Sequence, residues 1–196
     1  MKCAARKRRI SSIDKKGGGC TINRMPGVFL VGFMGAGKST VGRCLAERLG
    51  SRFVDLDAVI EERAGLAVRE IFVVHGETGF RHLEHEALTW AAGLAGAVVA
   101  LGGGAFSDPA NRQLIADTKG TSVFLDLPWP AILRRLPGGN HDRPKFSNPE
   151  DARRLFDDRQ VDYRRADLTV SLNGDEAAAA VAELIKERLA GVSCVI

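Results

Sequence analysis

The run "GFMGAGKST", Gly32 to Thr40, limits what this chain can fold into more than any other stretch. Three glycines, a lysine and a serine follow directly on the apolar "VFLV". Backbone N–H groups that wrap a phosphate need glycine, because a side chain would block the approach. Gly32, four residues, then Gly37, Lys38 and Ser39 is the spacing of a phosphate-binding P-loop. In such a loop the lysine reaches the β and γ phosphates and the serine hydroxyl ligates Mg²⁺. The helix that follows points its positive N-terminus at the anion. The flanks agree. A strand is expected at 28–31. "STVGRCLAERLG" carries Val41, Leu45 and Leu49 at helical spacing and stops at Gly50, which predicts a helix over 38–49. A nucleotide phosphate is therefore the expected ligand, and an α/β unit the expected frame.

The rest of the chain continues that alternation. Strands are expected at 52–56, 97–101, 121–127 and 167–172, with helices across about 58–92 and in "PWPAILRRL". Further helices are expected from Asn148-Pro149 and in "DEAAAAVAELIKERLA". Another opens at "SDPANRQLI", where Asp108 can cap and Pro109 suits the first turn. Strands alternating with helices give a parallel sheet with helices on both faces, a three-layer α/β/α fold. Ligands of such sheets bind beyond the carboxyl ends of the strands. The P-loop, "DLD" and "GGG" all sit at such ends, so three distant motifs are expected to share one crevice.

Charge separates the N-terminal stretch from the body. Residues 1–24 carry eight basic side chains against Asp14 alone, so the chain's net charge of +4 leaves the body mildly acidic. That stretch lacks apolar periodicity and contains a Gly run, so residues 1–25 are expected as a disordered basic extension. A nucleic-acid or targeting arm is the sharper reading of the same residues, and the less favoured one. Met25 opens "MPGVFLVGFMGAGKST", a natural beginning for a P-loop domain over 26–190, with 191–196 as a C-terminal tail. The uncharged stretch 87–106 is long enough to span a membrane, but its five glycines point to a helix end, a buried strand and a Gly-rich loop. Cys3, Cys20, Cys44 and Cys194 show no metal or redox spacing, and reduced thiols in a cytoplasm account for them. No metal site is expected from His82 and His85, which stand at i, i+3.

Several residues beyond the P-loop suit kinase chemistry. Asp55 and Asp57 flank Leu56 at the end of the second strand, and extended alternation would put both on one side. One carboxylate can hold Mg²⁺ through water and the other can orient or deprotonate a nucleophile. The competing reading is two polar residues that cap the next helix. Arg81 and Glu84 stand at i, i+3 on an expected helix, where the carboxylate could brace the guanidinium for an anion or merely decorate a surface. Gly102, Gly103 and Gly104 would let a substrate approach the backbone, or simply form a loop. "LPGGNHDRPKFSNP", about 137–150, suits a mobile lid, whose Arg143 could close on phosphoryl oxygens or lie in solvent.

Taken together these motifs resemble shikimate kinase. The order is Gly-Phe-Met-Gly-Ala-Gly-Lys-Ser, Phe-x-Asp-x-Asp, Gly-Glu-x-x-Phe-Arg-x-x-Glu, Gly-Gly-Gly-Ala, Arg-Pro and Arg-x-x-x-Tyr-x-x-Ala-Asp, over residues 27–190. The resemblance implies a nucleoside-monophosphate-kinase-like fold with a five-stranded parallel sheet. It implies Mg²⁺-dependent transfer of the ATP γ-phosphate to the 3-hydroxyl of shikimate, by a cytoplasmic monomer on the route to chorismate and aromatic amino acids. It assigns Gly35, Ala36, Gly37, Lys38, Ser39 and Thr40 to the phosphates, Ser39 and Asp55 to the metal, and Arg135 to the adenine. Lys38, Asp57 and Arg143 become the catalytic set, with Asp57 as candidate base. Asp57, Arg81, Gly102, Gly103, Gly104 and Arg159 become the shikimate site, with the two arginines gripping the carboxylate. Arg159 is implied by the resemblance alone, since on composition it is one of several arginines on a polar helix. The chain departs from the family in reading "RPKF" in the lid, where Arg-Pro-Leu-Leu is usual. "LNGDEAA" also lacks the Arg and Pro that some members carry near adenine. A related small-molecule kinase, such as a gluconate kinase, and a non-catalytic nucleotide-binding protein are the alternatives.

Overall fold

The computed structural model describes residues 26–135 and 149–192. Five strands, β1 (Val28–Val31), β2 (Phe53–Asp55), β3 (Val98–Ala100), β4 (Thr121–Asp126) and β5 (Leu168–Ser171), form one sheet in the order β2-β3-β1-β4-β5. Every pairing is parallel. Seven helices connect and flank them: α1 (Lys38–Leu49), α2 (Leu56–Ala64), α3 (Val68–Ala92), α4 (Pro109–Asp117), α5 (Trp129–Arg135), α6 (Pro149–Tyr163) and α7 (Ala178–Val192). A 3₁₀ turn, Ala105–Ser107, precedes α4.

The reason for the layers lies in the strand sequences. All residues of β1 and of β3 are buried, on both sides of the pleat. A strand buried on both faces belongs to a parallel sheet covered by helices above and below. Helix α1 lays Val41, Leu45 and Ala46 into that core, and α7 packs beside it with Val181, Ala182 and Ile185. A side chain on Gly42 would come within 2.5 Å of the Phe53 ring, so glycine sets how closely α1 approaches the sheet.

Register carries the motifs to one edge. Leu30 pairs with Ala100 and with Val123, while Asp55 pairs with Ala100. The C-terminal ends of β1, β2 and β3 therefore lie level, and the segments that leave them face one crevice. The chain moves from one side of β1 to the other between β3 and β4, which makes this the switch point where parallel sheets bind ligands.

Some boundaries shift from expectation. The second strand ends at Asp55, and Leu56 already begins α2. Asp55 and Asp57 thus do not share one face of an extended strand; they leave through a strand end and a helical first turn. Asp55 makes no side-chain cap bond to α2, so helix capping does not explain it. The long helical region divides at Gly65–Ala67, and α3 kinks at Gly76. There φ 67° and ψ −176° form a backbone region open essentially to glycine alone. Helix α7 starts at Ala178, not Asp175, because the Glu176 carboxylate turns back to accept from the backbone N–H groups of Asn173 and Gly174. Asp108 caps α4 as expected, accepting from the Ala110 N–H at 2.8 Å, with Pro109 following.

The stretch 87–106 resolves into a helix end, the buried β3 and the glycine loop. Among the described residues no helix is long and apolar enough to cross a membrane. The expected extension over 1–25, Cys3, Cys20 and Cys194 lie outside the described residues, as do residues 137–148 of the expected lid.

Candidate active site

The P-loop is built at the join of β1 and α1. Gly37 precedes α1 with φ 90° and ψ 15°, a left-handed conformation that glycine adopts without penalty. Lys38 is the first helical residue, and its Nζ donates to the carbonyls of Gly32 at 2.7 Å and Phe33 at 3.1 Å. The ammonium is thereby folded across the loop that a phosphate would occupy. Ser39 Oγ donates to Asp55 Oδ2 at 2.6 Å, joining the first helical turn to the end of β2. Arg135, at the end of α5, donates to the Gly35 carbonyl at 3.4 Å and to the Gly174 carbonyl at 2.5 Å. It thus bridges the P-loop to the segment between β5 and α7, on the side where the adenine is expected.

A cleft of about 1110 Å³ opens over this loop. Met34 to Val41 line its floor, with Asp55, Asp57 and Gly103 along one wall. Ala67 to Glu70, at the start of α3, and Leu172 and Glu176 line other parts. The cleft therefore joins the phosphate loop to the glycine loop after β3.

That glycine loop is where the second set of side chains converges. A side chain on Gly102 would meet Asp57 Oδ1 at 2.7 Å and Glu84 Oε1 at 2.8 Å. On Gly103 it would meet Arg159 Nη1 at 3.0 Å, and on Gly104 Arg81 Nη2 at 2.5 Å and Nη1 at 2.6 Å. The space a side chain would need at each glycine is thus taken by functional groups from α2, α3 or α6. Tyr163, fully buried on α6 one turn after Arg159, donates its hydroxyl to the Gly103 carbonyl.

The electrostatics follow from depth. Glu84 is 1% exposed, and Arg81 Nη1 donates to its Oε2 at 2.5 Å. Burial raises the Glu84 carboxyl above its ordinary value despite the opposing pull of Arg81, and Asp57 nearby adds to the rise. Arg81 is less enclosed: burial, which alone would lower it, is outweighed by Glu84 and by Glu77, whose Oε1 lies 3.3 Å from Nη2. Its guanidinium stays charged. Glu84 Oε1 has no hydrogen-bond partner among the described residues and lies toward Gly102 and Asp57. Burial pushes the Tyr163 hydroxyl up to about 12, against the nearby Arg159 charge.

Of the residues singled out in the sequence, all but Arg143 fall around this cleft and its glycine loop; Arg143 lies outside the described residues. The Glu84–Arg81 brace is present. Arg159 is 9% exposed, so it is no solvated helix arginine. Tyr163 received no role from the sequence. Its signal was the i, i+4 spacing from Arg159, which places the two on one helical face. His85 shows no metal-like grouping; it contacts Asn111, and among the described residues no cluster of His, Cys, Asp or Glu could hold a metal unaided.

Comparisons with known proteins bear on the family and the fold. A family model described as shikimate kinase matches residues 34–190. A shikimate kinase from Geobacter sulfurreducens is 47% identical over 160 residues, covering 80% of this chain and 87% of its own. The structure of a shikimate kinase from Acinetobacter baumannii in complex with shikimate superposes with a TM-score of 0.81 at 35% identity, covering 87% of this chain and 96% of its own. A gluconokinase from Sinorhizobium meliloti 1021 superposes with a TM-score of 0.55 at 19% identity, covering 86% and 94% of the two chains, a likeness of fold alone.

Proposed function

The chain belongs to the shikimate kinase family and is an ATP-dependent kinase, and we propose that its cleft divides the reaction between two ends. At the P-loop end the backbone of Gly35 to Ser39, with Thr40, surrounds the phosphates of ATP. The Lys38 ammonium exchanges its loop carbonyls for the β and γ phosphate oxygens. Arg135 borders the adenine from the Gly35–Gly174 bridge.

At the glycine-loop end Arg81 and Arg159 take the shikimate carboxylate as paired guanidinium donors. Glu84 holds the Arg81 fork from behind. Asp57 accepts hydrogen bonds from the ring hydroxyls and takes the proton from the 3-hydroxyl as its oxygen attacks the γ-phosphorus. The bond from that phosphorus to the β-γ bridging oxygen breaks, giving shikimate 3-phosphate and ADP. Charge on the transferring oxygens is offset by Lys38, and Arg143 is assigned the same duty from the sequence.

The oxygens of Ser39 and Asp55 fit a hard cation. They stand 2.6 Å apart at the cleft floor, a hydroxyl and a carboxylate. Mg²⁺ is commonly held by one or two such protein groups together with substrate phosphates, not by an all-protein cage. When bound there it would supply charge neutralisation for the β and γ oxygens. A monomer working in a cytoplasm suffices for this chemistry, since one chain builds both ends of the cleft.

The observation that carries the proposal is the meeting of Asp57, Arg81 and Arg159 on one glycine loop that borders the P-loop cleft. A coupled assay for ADP release, run in parallel with shikimate and with gluconate, tests it. Turnover with shikimate far above that with gluconate is expected. Equal turnover would favour a broader hydroxy-acid kinase, and none with either would leave only nucleotide binding.

A further inference from the structure

The glycine loop and its two arginines belong to three separate elements, and nothing in the reaction itself holds those elements in register. Besides the Tyr163 bond to the Gly103 carbonyl, a pair of adjacent residues on α4 does so. Asn111 is 1% exposed. Its Nδ2 donates to the carbonyl of Ala105 at 2.9 Å, directly after Gly104. Its Oδ1 lies 2.7 Å from Nδ1 of His85, on α3. An amide oxygen can only accept, so His85 carries its proton on Nδ1 and donates. His85 follows Glu84 and sits one turn after Arg81, so Asn111 ties the glycine loop to the helix of the first arginine.

Arg112 makes the complementary tie. Its Nη1 donates to the carbonyls of Phe106 at 2.7 Å and Ser107 at 2.9 Å, fixing the 3₁₀ turn. The same nitrogen lies 3.6 Å from Asp162 Oδ1 on α6, the helix of Arg159 and Tyr163. Asp162 also faces Arg165 Nε at 3.8 Å, on its solvent side. Between them the two side chains take up the carbonyls of Ala105, Phe106 and Ser107.

We propose that Asn111 and Arg112 are positioning residues for the substrate carboxylate pocket: they clamp the turn after Gly104 and lock it to α3 on one side and to α6 on the other. The proposal rests on the reading of that pocket given above. Neither residue lines the cleft. Loss of either tie should let the two guanidinium groups drift apart while the nucleotide end stays intact. A displacement of about 1 Å in a positioned group can cost on the order of 100-fold in rate.

The test uses the full chain with Asn111→Leu, Arg112→Met and Arg112→Lys. Leucine matches the buried volume but donates nothing to Ala105. Methionine keeps the stem of Arg112 without its donors, and lysine restores a donor. Steady-state constants for shikimate and for ATP are measured for each, with the melting temperature alongside. The expected result is a rise of about tenfold or more in KM for shikimate, with KM for ATP within twofold of wild type. Arg112→Lys should recover part of that rise. A purely structural role would lower the melting temperature and the active fraction, leaving both KM values unchanged. That result, or parallel rises in both KM values, overturns the proposal. Should Asn111→Leu not fold, the split between Arg112→Met and Arg112→Lys decides alone. Failure of the pocket reading is recognised separately, because wild type itself would then either not phosphorylate shikimate or use its carboxamide analogue as readily.

Discussion

Alanine at Gly104 isolates the close approach of Arg81 from the backbone's own needs. Gly104 has φ −109° and ψ −13°, a conformation that any L-residue adopts. Replacement at such a position restricts the unfolded chain and is worth about 0.4–1 kcal/mol of stability. The added Cβ, however, would stand 2.5 Å from Arg81 Nη2, 2.6 Å from Nη1 and 2.9 Å from Cζ, where ordinary contact begins at 3.4 Å. The guanidinium must therefore retreat by roughly 1 Å. It can do so because it is the far end of a flexible side chain, so the fold is expected to survive. The retreat breaks the alignment with Glu84 and with the substrate carboxylate. A hydrogen bond to a charged group contributes about 1.5–3 kcal/mol. At about 1.4 kcal/mol per factor of ten, KM for shikimate should rise roughly 10- to 100-fold. KM for ATP should stay within twofold, and the melting temperature within a few degrees. The ADP-release assay at saturating ATP gives the first number and the same assay at saturating shikimate the second. Gly102→Ala is the informative companion. Its Cβ would press on Asp57 Oδ1 and Glu84 Oε1, so kcat should fall as well. An unchanged KM for shikimate in a folded Gly104→Ala protein would refute the placement of Arg81 at the substrate.

Lys38→Met should lower kcat by about 10²–10³, the scale for loss of one preorganised charge contact at a transition state, with circular dichroism unchanged. A folded variant within tenfold of wild type would contradict the role assigned to that ammonium. Tyr163→Phe tests the clamp on Gly103 through pH. The hydroxyl titrates near 12 in the fold against an ordinary 10.0, so folding favours its protonated form. That stabilisation is fully present below pH 10 and is lost as pH rises through 12. At pH 8 the variant should melt below wild type, by about 1 kcal/mol for the lost hydrogen bond. Between pH 9 and 11 the gap should narrow, because only wild type carries the titrating phenol. A gap that widens over that range would contradict the buried position of the hydroxyl.

Much of the frame was legible because it rests on local rules. The P-loop spacing, the helical recurrence of Val41, Leu45 and Leu49, and the Asp108-Pro109 opening of α4 each depend on a few neighbouring residues. The parallel sheet followed from the alternation of elements. What local rules could not supply was long-range placement. Strand alternation carries β2 past its end at Asp55, because nothing local marks Leu56 as the first residue of α2, so the two aspartates leave from different elements. Arg159 stands among arginines of equal appearance in "EDARRLFDDRQVDYRRAD", which runs from Glu150 along α6 and past its end, and tertiary packing of α6 beside Gly103 and Phe33 is what buries it. Asn111 and Arg112 were invisible for the same reason. Their partners lie on α3, on α6 and in the turn after the glycine loop, and no spacing in the sequence links them.

The central claim is that Arg81 and Arg159 form a carboxylate clamp at the end of the cleft. Its most direct measurement compares kcat/KM for shikimate and for its carboxamide analogue, in wild type and in Arg159→Ala. Each guanidinium bond to the charged acid is worth about 1.5–3 kcal/mol that a neutral amide does not return. Wild type should therefore prefer the acid by about 100-fold or more, and Arg159→Ala should give up at least about tenfold of that preference, with KM for ATP unchanged. If wild type uses the amide as readily as the acid, or if Arg159→Ala keeps the full preference, the two arginines do not grip the substrate carboxylate.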